Sequence, residues 1–121
     1  FDHSRLSAQA TPPTHEGGGK VRMVGKVRVY DKPRHLAFSW PSGEGEAPTE
    51  VIIRLTQTPN GVRLHLRHEK VVSTEYMTGA SAGWHAHLDI LQDQLTGNEP
   101  RDFWLHYLPL ETEYQAMQQA I

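Results

Sequence analysis

The stretch Gly83–Leu95 constrains the fold more than any other part of this 121-residue chain. Its large apolar side chains recur at the helical spacing i, i+4, i+7 and i+11, on Trp84, Leu88, Leu91 and Leu95. Ser81 precedes them as a candidate N-cap, and Gly97 follows where a glycine commonly ends a helix. A single apolar stripe needs one broad apolar surface, which predicts a helix packed on a sheet.

Four segments before that helix alternate between apolar and polar residues, as half-buried strands do. They are Lys20–Tyr30, His35–Trp40, Thr49–Thr58 and Val62–Glu69. Asn60-Gly61 predicts a tight hairpin between the last two, because Asn-Gly readily adopts positive φ. We therefore predict an α+β fold in a single domain, residues 1–121. Residues 1–19 are expected to be loop-like, 20–70 an antiparallel sheet and 81–121 the C-terminal helices.

The C-terminal tail carries a second apolar pattern at helical spacing. Its members are Phe103, Tyr107, Leu110, Tyr114, Met117 and Ile121. Pro109 lies inside this pattern and is expected to kink the helix or to split it near Tyr107. The same stripe is what a homodimer or a protein partner would need as a contact surface.

Composition and charge exclude several classes of protein. A net charge of −2 provides no basic excess for general nucleic-acid binding. No apolar run approaches the ~20 residues that span a bilayer. The absence of Cys excludes disulfides, thiolate metal sites and Cys nucleophiles. These features predict a cytoplasmic protein.

Two histidines are candidates for contact with a ligand. His68 shares the parity of Leu64 and Leu66, so it is expected on the inward face of its strand. His87 lies about 60° from the centre of the helical stripe, at the edge of the buried face. His85 and His87 diverge by about 200° and cannot share one metal ion. The sequence contains no zinc motif and no dinucleotide fingerprint, so no metal site and no cofactor are predicted.

A catalytic pair of Glu50 and His68 is the main enzymatic possibility, because the two residues belong to adjacent strands of one hairpin. The alternation places Glu50 on the face opposite Val51, Ile53 and Leu55. That parity argues against the pair, so catalysis is not the leading interpretation.

The order of landmarks along the chain resembles that of a known family. It runs through Gly25-Lys26-Val27, Tyr30 to Leu36, Phe38-Ser39-Trp40, Glu50-Val51, Gly61, Leu64, Leu66, His68 and Gly83-Trp84 with Leu88, Leu91 and Leu95. This order is similar to the bacterial domain related to the activator of heat-shock-protein ATPase, in the START-like or SRPBCC superfamily of polyketide cyclases and pollen-allergen-like proteins. The resemblance covers roughly residues 18 to 97.

The resemblance implies a helix-grip fold, in which a curved antiparallel sheet wraps a long C-terminal helix. The N-terminal helices of the family would be absent or shortened here. It also implies that a small apolar or amphipathic ligand binds between the sheet and that helix, without catalysis. The residues expected to line the site are Trp40, His68, Trp84, His87 and Leu88. The alternatives are a cyclase- or dehydratase-like enzyme using pocket His and carboxylate groups, and a chaperone-activator-like interaction module with a role in stress response.

Overall fold

The structure, a computed structural model, describes residues 2–8, 11–15, 19, 22–43 and 45–120. The chain divides into two compact units. The sheet unit is Met23–Val71, and the helical unit combines Phe1–Arg22 with Val72–Ile121. The two units are described separately below.

The sheet unit contains four antiparallel strands in the order β1-β2-β3-β4. They are β1, Val27–Asp31, β2, His35–Trp40, β3, Thr49–Thr58, and β4, Gly61–Glu69. Val51 on β3 is completely buried and pairs with Phe38 on one side and His68 on the other. Thr58 pairs with Gly61, which confirms the hairpin. The two loop residues are Pro59 and Asn60, and positive φ is found at Gly61 and not at Asn60.

The first strand begins at Val27, later than the predicted Lys20, which lies outside the described residues. The reason is local. The amide of Lys26 donates to the Ser39 hydroxyl at 2.8 Å, so a side chain replaces the backbone acceptor of a regular ladder. A Cβ on Gly25 would lie 2.0 Å from the Ser39 carbonyl oxygen, so this close approach requires glycine.

The helical unit contains two long helices, α1, Thr74–Leu95, and α2, Phe103–Gln119. The N-terminal segment, predicted to be loop-like with its helices absent or shortened, contains two short 3₁₀ helices, His3–Arg5 and Pro13–His15. Helix α2 continues through Pro109, so the proline does not split it.

Helix α1 starts at Thr74, about two turns before the predicted start near Ser81. The hydroxyl of Ser73 accepts a hydrogen bond from the amide of Tyr76 at 3.2 Å and caps the helix. Ser81 is therefore an interior residue and not the N-cap. Gly97, with φ of +78°, follows the C-cap of α1 and confirms the predicted end.

The core of the helical unit lies where α1 and α2 meet. It is built from Ala82, Ala86, Ile90, Phe103, Trp104, Tyr107 and Leu110. Ala82 and Ala86 are completely buried, because these small residues let α2 approach α1 closely. Three residues of the predicted tail stripe, Phe103, Tyr107 and Leu110, are thus buried in this core. Ile121 lies outside the described residues.

Candidate functional site

Two of the predicted site residues, Trp40 and His68, are brought together on the sheet by Thr49. Thr49 is buried, and its hydroxyl donates to the Trp40 carbonyl oxygen at 3.0 Å. The same hydroxyl lies 2.7 Å from His68 Nε2. Because the hydroxyl proton is committed to the carbonyl, Thr49 accepts from His68, which places the imidazole proton on Nε2.

The surroundings of His68 favour its neutral form. Its ring lies 5.7 Å from the Trp40 ring, centroid to centroid. Burial lowers the pKa of His68 below its ordinary value. Trp40, Thr49 and His68 therefore form a cluster with a fixed hydrogen-bond pattern.

The Glu50–His68 pair does not form. His68 pairs with Val51 in the register of β3 and β4, and Glu50 pairs with Glu69. Adjacent residues of a strand point to opposite faces, so Glu50 points away from His68. Its carboxylate lies 3.3 Å from Lys70 Nζ instead.

Helix α1 has two different faces. The face that packs within the helical unit carries Thr78, Ala82, Ala86, Ile90 and Asp93. The predicted apolar stripe lies on the other side of the helix, about 170° away at 100° per residue. Trp84 and Leu88 are half-buried there, whereas Leu91 is 40% exposed and Leu95 is 77% exposed.

The remaining predicted site residue, His87, lies between the two faces of α1 and contacts the N-terminal segment. Its Nε2 is 3.1 Å from Nε2 of His3, so one ring nitrogen donates to the other. The His3 ring stacks on Phe103 at a centroid distance of 4.2 Å. Burial, reinforced by His3, lowers the pKa of His87 from 6.5 to about 4.

This depressed pKa predicts a pH dependence of stability. The unfolded chain binds a proton at His87 near pH 6.5 and the folded chain only near pH 4. The contribution of His87 is therefore fully present above pH 6.5 and is lost as the pH falls towards 4. Urea denaturation across this range should show a falling free energy of unfolding, and His87→Leu should reduce the slope. His65→Gln, at an exposed sheet position, is the control. An unchanged slope in His87→Leu would contradict the assignment.

A third cluster, not predicted from the sequence, lies in the helical unit around Glu111. Tyr107 donates its hydroxyl proton to Glu111 Oε2 at 2.7 Å. His15 Nε2 donates to the same oxygen at 2.8 Å. The Thr14 hydroxyl is 2.8 Å from His15 Nδ1 and orients the ring. Burial, together with the neighbouring Glu111, raises the pKa of Tyr107.

Glu111 and His15 line an open cleft of about 560 Å³. Its other walls come from the start of α1 and the end of α2, and include Glu75, Thr78, Gln115 and Gln118. The i, i+4 spacing of Tyr107 and Glu111 is the one signal in the sequence for this cluster. His15 belongs to a short segment without periodicity, so nothing in the sequence joins it to α2.

A fourth cluster, also polar, joins the C-terminal half of α1 to the first turn of α2. Asp89 lies 2.6 Å from His106 Nε2 and 3.3 Å from His85 Nε2. Arg101 binds both carboxylate oxygens of Asp93 at 2.8 Å, and these hydrogen bonds lower the pKa of Asp93 to about 2. In the described ranges, no three His, Asp or Glu side chains are arranged to hold a metal ion.

The sequence profile of one protein family matches residues 7–96 of the chain. The family is described as activator of Hsp90 ATPase homolog 1-like protein. The chain belongs to this family. Membership places it in the START-like, or SRPBCC, superfamily, as the order of landmarks indicated.

Two solved structures support the same assignment. The NMR structure of a Bordetella parapertussis protein is 33% identical with a TM-score of 0.79, over 95% of this chain and 61% of that one. The crystal structure of CalU16 from Micromonospora echinospora is 26% identical with a TM-score of 0.62, over 78% of this chain and 57% of that one. The predicted α+β fold class of the helix-grip type is confirmed.

The chain spans about three fifths of the length of each of these two proteins. No curated protein matches the chain significantly. Among the helices of the described residues, none is both long and apolar enough to cross a membrane.

Proposed function

We propose that the chain binds a small apolar or amphipathic molecule, and that the stripe of α1 contacts it. The observation that carries this proposal is the difference between the two faces of α1. The alanines Ala82 and Ala86 pack in the core with α2, whereas the stripe lies on the other side of α1, where Leu91 and Leu95 are exposed. Family membership supports a ligand-binding domain of the SRPBCC superfamily.

The chemistry of the stripe suits an apolar ligand. Trp84, Leu88, Leu91 and Leu95 offer aromatic and aliphatic surface without a charged side chain at these four positions. Fully burying an exposed leucine side chain contributes about 1.5–3 kcal/mol, and Leu95, which is 77% exposed, has the most to gain. Trp40 and His68, which are also predicted to contact the ligand, form a separate cluster on the sheet. The neutral imidazole of His68, with its proton on Nε2, is compatible with an amphipathic molecule.

The test is a binding screen with fatty acids, sterols and aromatic polyketides, followed by thermal shift and NMR. Leu88→Asp and Leu91→Asp place a charge in the stripe and should weaken binding at least tenfold, which corresponds to about 1.4 kcal/mol. Leu105→Asp on α2 is the matched control, because Leu105 is 59% exposed and lies off the stripe. The proposal fails if no compound binds the wild type, or if the stripe variants bind as well as Leu105→Asp.

A protein partner or a second copy bound through the tail is the alternative, in keeping with the activator named in the family description. Leu105 and Met117 are the large apolar side chains of α2 that are exposed. Light scattering after size exclusion, on wild type and on a Leu105→Ser, Met117→Ser variant, separates this alternative from ligand binding. A monomer in both cases argues against the second copy.

A further inference from the structure

The cleft around Glu111 is separate from the stripe of α1 and has the opposite chemistry. Its lining includes His15, Glu75, Thr78, Glu111, Gln115 and Gln118, all of which carry hydrogen-bonding side chains. Its volume of about 560 Å³ lies within the usual range of small-molecule sites. A concave surface of this composition suits a polar ligand and not an apolar one.

The charges of the cleft favour a cation. Two carboxylates, Glu75 and Glu111, line it, and its described lining contains no Lys or Arg. His15 is already hydrogen-bonded to Glu111. Both donors to Glu111, from His15 and Tyr107, go to Oε2. A ligand can therefore bond to Oε1 without breaking either contact.

The helix ends add to this preference. Gln118 lies in the last turn of α2, where the backbone carbonyls carry partial negative charge and no basic residue offsets it. At the start of α1 the partial positive charge is already offset by Glu75, and the Ser73 cap accepts one of the free amides. The cleft therefore has an uncompensated negative end and a compensated positive end.

We propose that this cleft is a second ligand site, which binds a small polar molecule bearing a primary ammonium group. The ammonium donates to Glu111 Oε1 and to Glu75. The hydroxyl or amide groups of the ligand bond to Gln115, Gln118 and Thr78. Tyr107 and His15 hold the Glu111 carboxylate in place, so the acceptor is oriented before the ligand arrives.

The experiment is an NMR titration of the chain with ethanolamine and spermidine, with acetate and glycerol as comparison ligands. The amines should shift the amide signals of Thr78, Glu111 and Gln115, and acetate and glycerol should not. Glu111→Gln should weaken amine binding at least tenfold, because it removes the charge while its amide oxygen still accepts from Tyr107. Glu113→Gln, at an exposed position of α2, is the matched control and should bind like the wild type.

The thermal midpoint and the amine affinity of the two variants decide between the outcomes. Loss of amine binding in Glu111→Gln, with an unchanged thermal midpoint and retained binding in Glu113→Gln, supports the site. The proposal is wrong if no amine shifts these signals at millimolar concentration, if acetate or glycerol shifts them equally, or if Glu111→Gln binds amines like the wild type. Should Glu111→Gln unfold, Glu75→Gln provides the same comparison.

Discussion

Replacing Phe103 with alanine is expected to lower the free energy of unfolding of the helical unit by about 3–5 kcal/mol. Phe103 is 2% exposed and lies at the centre of the aromatic core. Its ring contacts the rings of Trp104, Tyr107 and His87 at centroid distances of 4.9, 5.5 and 4.9 Å. Four rings, those three and His3, would lose a packing partner, and the cavity cannot close without moving both helices.

Urea denaturation followed by helix circular dichroism measures this loss. Met117→Ala is the control, since Met117 belongs to the same helix and is 57% exposed. Its effect should stay within about 0.5 kcal/mol, as for most surface substitutions. Equal losses in the two variants would show that Phe103 is not the centre of the core.

Asp102→Ala is expected to cost about 2–3 kcal/mol, through loss of the N-cap of α2 and of two further hydrogen bonds. Asp102 Oδ1 accepts from the amide of Leu105 at 3.2 Å and from the hydroxyl of Ser7. Its Oδ2 accepts from the amide of Ala8 at 2.8 Å. One carboxylate therefore caps α2 and fastens the N-terminal segment to it.

Asp102→Asn separates these two roles, because asparagine caps a helix well but has one acceptor oxygen in place of two. It should lose less stability than Asp102→Ala. Burial tends to raise the pKa of Asp102, but the hydrogen bonds from Ser7, Leu105 and Ala8 outweigh it and lower the pKa. The wild type should lose this stabilisation as the pH falls below the ordinary Asp value, whereas Asp102→Asn should not. Denaturation midpoints that coincide for all three proteins would refute the assignment.

The sheet could be predicted from the sequence because alternation is a local signal. Strands β2 and β3 have the predicted bounds, and β4 begins one residue early at Gly61. The start of β1 could not be predicted, since it depends on the Ser39 side chain of the neighbouring strand. The Trp40–Thr49–His68 cluster could be predicted only in part. The alternation along β4 predicts the face on which His68 lies, but the bridging role of Thr49 follows only from the register of three strands.

The packed face and the start of α1 could not be predicted from the sequence. Large apolar residues dominate the helical periodicity of the sequence, so the pattern predicts the Trp84–Leu95 stripe as the packed face. Alanines carry little hydrophobic signal, yet Ala82 and Ala86 form the contact with α2. The start of α1 could not be predicted for a related reason, because the run Gly79 to Ala82 resembles a loop in sequence but is helical in the structure.

The clusters built from distant segments could not be predicted at all. His15 and Glu111 are 96 residues apart, and His3 and His87 are 84 apart. No pattern within a window of the sequence connects such pairs. Family resemblance supplied the fold class and the kind of ligand, but not these contacts.

The attachment of Ser7 to Asp102 has a consequence for synthesis of the chain. The sheet unit is one continuous stretch whose strands pair with their sequence neighbours, so its pairing can be completed while the chain is still being translated. Ser7 is translated before the strands of the sheet, but its partner Asp102 is made 95 residues later. The helical unit can therefore close only after α2 has been made, when the strands of the sheet can already be paired, and Ser7 stays without its partner until then.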